Sequence, residues 1–442
     1  MKPTAHRPKI AVIGAGWAGL SAAVRLAGRA DVSLFEAGRR AGGRARMLAG
    51  GQAGFSFLDN GQHIMLGAYH GVLALMQLIG VSEQNAFLRL PLQWHMAGGL
   101  QFQTASLPAP LHIVFGLLKA KNLRFGEKTK LLNDMHALQQ YQEASPLPDM
   151  AVAQWLLERN ISRKLNIQFW RPLVWGALNT PLEHASLRML CNVLQDGVWS
   201  GKAGSDYLLP KQDLGSIIAE PALAFLAAHG AAVHLETRAA RLTGLPDGRV
   251  AVNGQAFDAA IPAVAPYHAA ALMPSETPDS VVAAFNAVRH HAITTVYLRY
   301  AETVHLPAPL TGLAEGTAQW FVQRGALGLP ANETAAVISL SDLIGRLKPE
   351  EWAARVHADL KTLCPYLGEP LAVRVITEQR AAAAATVART LPDLSWLHLR
   401  RIYPAGDYLH PRYPSTLEAA VQSGLSAADV CYTDCCAVKN AF

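Results

Sequence analysis

The 442-residue chain is 51% hydrophobic and only 16% charged, with Lys plus Arg 39 against Asp plus Glu 33 for a formal net charge of +6. Typical soluble domains are about 25% charged, so disorder is excluded, and at ~150 residues per domain the length suggests about three domains or two large ones. No long Lys/Arg block accompanies the charge, which argues against a nucleic-acid partner; weak attraction to an anionic membrane fits it equally well.

The first element is easily misread. Ile10 to Val24 is an uncharged stretch behind Lys2, Arg7 and Lys9, similar in outline to a secretory leader. It is short of the ~20 residues that span a bilayer, and three glycines interrupt it. Their spacing has a better explanation. Lys9 to Ile13 reads as a short buried strand, Gly14-Ala15-Gly16-Trp17-Ala18-Gly19 follows, and Leu20 to Leu26 reads as a helix. Val32 to Phe35 supplies a second strand, ended by Glu36. Gly14 permits a tight turn, Gly16 lets the backbone approach a pyrophosphate, and Gly19 lets helix and strand pack closely. The helix N-terminus offers N–H groups and a positive dipole end. Glu36, with Ala37 beside it, can accept hydrogen bonds from ribose hydroxyls and would repel a 2′-phosphate. That favours FAD or NAD over NADP. The flanking strand and the acid turn a weak glycine motif into a strong one.

Gly42-Gly43-Arg44, with Arg46, comes directly after this unit, where an NAD domain usually proceeds to another helix. The glycines allow close passage past a cofactor, and Arg44 or Arg46 can neutralise a pyrophosphate. Further on, Val72 to Ile79 and Leu131 to Tyr141 show helical apolar spacing, and residues 71 to 200 read as mainly helical. Leu107 to Leu118 is an apolar run with two prolines, followed by Lys119, Lys121, Arg124, Lys128 and Lys130. It is too short to cross a bilayer. It either lies in a membrane interface under a basic collar or lines the interior, and His112 within it reads as a packed core residue. Ile293 to Tyr300 reads as a strand, on which His290 and His291 would point to opposite faces. Trp352 to Leu363 reads as a helix ending at Pro365. Arg380 to Ala385 is helical on propensity. The five cysteines are odd in number and unevenly spaced, so no disulfide framework is expected, and no zinc-type pairing gives a metal site.

The Gly42-Gly43-Arg44 segment resembles that of the flavin amine oxidase and phytoene desaturase superfamily. Asp59-Asn60-Gly61-Gln62-His63 resembles its next flavin-proximal segment. Tyr403 to Asp407 and Pro414 to Ala420 resemble its closing motif, and Val233 to Ala239 its central strand. The resemblance implies FAD as cofactor. It implies FAD-binding roles for Gly14, Gly16, Trp17, Ala18, Gly19, Glu36, Ala37, Gly42, Gly43, Arg44, Asn60, Gly61, Gln62, Ala239 (at the adenine), Gly406, Asp407, Ser415, Thr416 and Leu417. The implied fold class is α/β, a Rossmann-like FAD-binding domain interleaved with an α+β substrate domain. Residues 1–70, 201–270 and 386–442 would form the first and residues 71–200 and 271–385 the second. It also suggests a strand at Arg380 to Ala385, against the propensity.

Asp59 to Tyr69, Leu107 to Leu111, Trp175 to Pro181 and Leu209 to Leu214 resemble a narrower branch, the bacterial hydroxysqualene dehydroxylases of hopanoid biosynthesis. This implies reductive removal of an allylic hydroxyl from hydroxysqualene or a related polyisoprenoid; the expected location is cytoplasmic, with Leu107–Leu118 the candidate for peripheral contact with the inner membrane. It does not name the electron donor. Hydroxide leaves poorly, so an acid must protonate the departing oxygen. Asp213 and His63 are candidates, each with a structural alternative: a helix cap for Asp213, a hydrogen bond near the flavin for His63. Asn179 could bind the hydroxyl or cap a turn before Pro181. An oxidative polyene desaturase or amine oxidase, and a prenyl-lipid carrier without redox activity, are the competing readings. The intact Gly14, Gly16, Gly19, Glu36 and Arg44 disfavour the carrier.

Overall fold

A computed structural model describes residues 7–48, 54–143, 148–387 and 389–437; Lys2 of the leader-like stretch lies outside them. Strand β1 (Lys9–Ile13) is buried beyond its first residue and runs into helix α1 (Trp17–Leu26). The leader-like stretch is therefore a strand–turn–helix of the core. β2 (Asp31–Phe35) returns parallel to β1; β3 (Ala232–His234) adds parallel to β2, and β4 (Ala259–Pro262) parallel to β1. The sheet order is β4-β1-β2-β3, so two strands some two hundred residues away in sequence flank the N-terminal pair.

Alternation of side chains along β1 sets the two faces. Ile10 and Val12 pack with α1, whereas Ala11 and Ile13 pack with Val250, Phe257 and Phe285 on the opposite side. The last long helix, α2 (Leu417–Ala437), lies against α1. Gly424 makes that approach possible: a Cβ there would sit 2.0 Å from the Ala18 carbonyl oxygen. Ser21 Oγ also donates to Val421 O at 3.1 Å.

The second body is an antiparallel sheet of β5 (His290–Arg299), β6 (Leu310–Gly312), β7 (Trp320–Gln323), β8 (Glu333–Ser339) and β9 (Ala372–Ala383), in the order β6-β7-β8-β5-β9. The helix Pro349–Leu363 covers one face through Trp352, Val356 and Leu360. The other face meets the helical region of residues 71–200 in an aromatic core that includes Trp94, Phe169, Trp170, Trp320 and Tyr297. The expected helices appear as His70–Leu78 and Phe125–Glu143, and the strand expected from Ile293 begins at His290.

Arg380 to Ala383 is strand, as the resemblance suggested and propensity did not. Ala382 and Ala383 pair with His291 and His290 and are buried. Ladder bonds and burial here outweigh the few tenths of a kcal/mol per residue that separate helix propensities.

Candidate flavin site and its surroundings

The glycine motifs fold onto one another. Gly14 lies at φ +99°, a conformation open to glycine, and an added Cβ would meet Ala263 O at 2.5 Å. At Gly19 a Cβ would lie 1.8 Å from Gly14 O, so the turn and the first helical turn touch backbone to backbone. Gly42 donates its N–H to Ala15 O at 2.7 Å, and Gly16 and Gly42 form a parallel bridge. Gly43, at φ +62°, would place a Cβ 3.0 Å from Gly16 Cα. Trp17 is buried beneath, its indole donating to Ala45 O at 3.1 Å. Gly16 opens α1 with no side chain to cap it, so the first N–H groups have no side-chain acceptor. A surface without side chains, ending in unpaired N–H donors, fits a pyrophosphate.

Glu36 does more than await a ribose. Its two carboxylate oxygens accept the N–H groups of Ala15 and Gly38, each at 2.7 Å. The acid at the end of β2 thus fixes both the glycine turn and the chain leaving the strand. Ala37 is exposed between them. Ala239 packs against the cluster that holds Ile13 and Phe35.

Arg44 has a partner within the protein. Its guanidinium is paired with Asp407 and also donates to Ala381 O at 2.9 Å. Arg46 bonds back to Gly43 O. The Arg44 charge is therefore matched within the protein. The pair ties the N-terminal glycine segment to the C-terminal one. Gly406 donates to Ser423 Oγ at 2.9 Å, Ser415 Oγ accepts from Ala383 N at 3.0 Å, and Thr416 Oγ1 caps α2 by accepting from Ala419 N at 3.1 Å. Leu417 then begins α2. Segments from both ends of the chain converge on the tip of β9.

Asn60, Gly61, Gln62 and His63 run beside β5. Gln62 N donates to Thr295 Oγ1 at 3.3 Å, and Asn60 Nδ2 donates to Glu378 on β9 at 2.9 Å. His63 Nδ1 lies 2.9 Å from Gly61 O. A carbonyl only accepts, so Nδ1 carries the proton and Nε2 is the acceptor of the neutral ring. Burial lowers the imidazole pKa to about 4, so the ring is neutral near pH 7.

The other two catalytic candidates are structurally committed. Asp213 accepts from Ser216 N at 2.9 Å and from Ser216 Oγ at 2.7 Å. This is the helix cap, at the start of the helical stretch that begins at Gly215. Asn179 fits its capping alternative. It ends helix Arg171–Leu178 at φ +43°. Its Oδ1 accepts from Leu340 N at 3.0 Å and its Nδ2 donates to His291 O at 3.3 Å. One donor and one acceptor of this buried amide thus serve the backbone.

Sequence reasoning passed over Asp59, counting it only as part of a motif. Its side chain is 4% exposed, and Leu214 N donates to it at 3.1 Å. Burial raises its pKa to about 7, the nearby Asp213 charge adding to the rise. The only sequence signal was an acid within an otherwise apolar and amide-rich stretch. Arg324 and Glu333, a fully buried pair 3.0 Å apart, also gave none. They hold the segment leading to Asp59: Glu333 accepts from Ser56 N at 2.8 Å and Arg324 donates to Phe57 O at 2.8 Å.

Residues 17–431 match the family model described as flavin containing amine oxidoreductase. A hydroxysqualene dehydroxylase of Rhodopseudomonas palustris is 29% identical over 97% of this chain and 98% of its own. One from Zymomonas mobilis is 26% identical over 95% of this chain and 98% of its own. Among solved structures, cyclohexylamine oxidase from Brevibacterium oxydans superposes with a TM-score of 0.71 at 17% identity, covering 97% of this chain and 99% of that one.

Proposed function

The chain belongs to the flavin containing amine oxidoreductase family, and from that premise we propose that it reductively dehydroxylates hydroxysqualene to squalene. It is a flavin oxidoreductase, and its cofactor is FAD. The observation that carries the substrate reading is end-to-end similarity to hydroxysqualene dehydroxylases, with nearly all of both chains aligned. The interleaved division into residues 1–70, 201–270 and 386–442 for the cofactor and 71–200 and 271–385 for the substrate belongs to the same proposal. So does a cytoplasmic location.

The chemistry that FAD supplies when bound and reduced is delivery of a hydride. The net change adds hydride and a proton to the alcohol: a C–H bond forms, the C–O bond breaks, and water leaves. The residues of this chain must then do three things. The Gly14–Gly19 turn, Glu36 and the Arg44–Asp407 pair hold and orient the cofactor. The aromatic core of Trp94, Phe169 and Trp320 walls the substrate side with apolar surface, which keeps competing water out. A proton must be held ready for the departing oxygen.

Asp59 is the group suited to hold that proton. Its carboxyl is half protonated near neutrality, and it precedes His63 in the same segment. His63, neutral with its proton on Nδ1, suits acceptance of the substrate hydroxyl's hydrogen bond through Nε2. It is a poor acid. Asp213 acts as a positioning residue, because it fixes the turn whose Leu214 N–H holds Asp59.

Anaerobic incubation of the photoreduced enzyme with hydroxysqualene tests the reading. One squalene should form per flavin reoxidised. Complete FAD loading with no squalene, or amine oxidation under oxygen in its place, would refute it. Asp59→Asn should spare FAD binding, lower turnover below pH 7, and remove its fall as pH rises through about 7. An unchanged profile would remove Asp59 as the proton store.

A further inference from the structure

The helix Leu111–Leu118 resolves the alternative left open for the apolar run into two faces. His112, Ile113, Gly116 and Leu117 are buried against the core that holds Phe102 and Trp170. Leu111, Phe115 and Leu118 are exposed by 47%, 43% and 39%. Their spacing of four and three residues puts them on one side of the helix. Phe125, exposed by 75%, joins them: Lys128 Nζ donates to Leu118 O at 2.8 Å, which brings the start of helix Phe125–Glu143 against the end of the shorter one.

Four large apolar side chains in water need a partner or a reason. The charge around them is mainly basic, with Glu127, which accepts from Arg124 N at 2.6 Å and pairs with Lys164, set against it. From Gln101 to Gly126 there is no Asp or Glu. Lys119, Lys121 and Arg124 are exposed beside the patch, and none of the three takes part in an ion pair among the described residues. Other basic groups nearby are committed: Lys130 to Asp134 and Lys164 to Glu127. An apolar tip with a net basic rim complements a surface that is apolar inside and anionic at its boundary. At ~1.5 Å per residue the helix is about 12 Å long, too short to span, and no helix among the described residues is long and apolar enough to cross a membrane. It suits lying in the interfacial plane.

We propose that Leu111, Phe115, Leu118 and Phe125, ringed by Lys119, Lys121 and Arg124, form the surface by which this protein docks on an anionic lipid bilayer. The docking geometry stands on the exposed face alone. It rests on the dehydroxylase reading only for its purpose, which is to set the aromatic core beneath the helix next to a membrane that dissolves the polyisoprenoid.

The test is co-sedimentation of the FAD-loaded protein with phosphatidylcholine vesicles, with and without about one-third phosphatidylglycerol. The protein should bind the anionic vesicles, and binding should weaken with added salt. The triple variant Leu111→Ser, Phe115→Ser, Leu118→Ser should lose at least about tenfold in partitioning. Lys119→Glu, Lys121→Glu, Arg124→Glu should abolish the preference for anionic lipid. Thermal midpoint and flavin absorbance should stay unchanged in both, because the altered side chains point outward. Wild-type-like vesicle binding by both variants would overturn the proposal. So would gel filtration in which the triple serine variant converts a dimer to a monomer while the wild type ignores vesicles; the face would then belong to a second copy. Vesicle binding needs no turnover, so failure of the dehydroxylase assay and failure of docking are separate results.

Discussion

Glu36→Ala is the sharpest perturbation of the cofactor cradle. In the folded protein the carboxylate holds two backbone N–H groups, of Ala15 and Gly38, at 2.7 Å each. Hydrogen bonds to a charged partner contribute about 1.5–3 kcal/mol each. The site is only part-buried, and water can replace part of what is lost, so we expect ~2–4 kcal/mol from the pair. Ribose hydroxyl bonds add to that in the loaded enzyme. Glu36→Gln keeps one acceptor oxygen but turns an amide NH2 toward the other donor, so about half the loss should remain. Those two backbone bonds exist with or without cofactor, so their loss is read as stability; the lost ribose bonds, ~1–3 kcal/mol, should lower FAD affinity roughly 5- to 150-fold in the alanine variant at a factor of ten for each ~1.4 kcal/mol, and by less in the glutamine variant. Titration of apoprotein with FAD, followed by quenching of flavin fluorescence, measures both. The thermal midpoint of apoprotein should fall as well, because Ala15 and Gly38 lose their acceptor even without cofactor. Wild-type affinity and an unchanged apoprotein midpoint in Glu36→Ala would refute the assignment of Glu36 as the anchor of the turn.

Gly19→Ala should prevent FAD retention and lower stability by several kcal/mol, since its Cβ would overlap Gly14 O at 1.8 Å and neither atom can retreat; a yellow, wild-type-stable protein would contradict the packing. For Asp59 the sign follows from a raised pKa. The folded protein keeps the proton where the unfolded chain has lost it, so stability is full below about pH 4 and declines as pH rises toward 7. A rise from 3.8 to about 7 corresponds to up to ~4 kcal/mol at ~1.4 kcal/mol per pH unit. Urea unfolding of Asp59→Asn should lack that decline and exceed wild-type stability at pH 8; parallel pH curves would disprove it. Asn179→Ala should cost ~2–4 kcal/mol from an unpaired Leu340 N–H and a left-handed φ imposed on alanine. Turnover per bound flavin should persist, and a loss of turnover at full loading would return Asn179 to the substrate.

Local signals carried the N-terminal unit. A buried strand, three glycines at fixed spacing and a terminal acid can be read from the chain because each role is a backbone requirement met within about thirty residues of sequence. Helices such as His70–Leu78 and Phe125–Glu143 were legible for the same reason, their apolar period being local. Arg380 to Ala383 marks where this ends: alanine propensity pointed to helix, while pairing with His290 and His291, some ninety residues earlier, made it strand.

The site chemistry divides along the same line. Composition and motif order determined that a flavin nucleotide is held and that apolar surface is abundant. Only the tertiary structure decided that Arg44 spends its charge on Asp407, that Asn179 and Asp213 serve the backbone, and that Asp59 is the carboxyl kept near neutrality. A residue type advertises what it can bond to. Which partner it meets, and how much water remains around it, depends on segments that are far apart in the chain and adjacent only once folded.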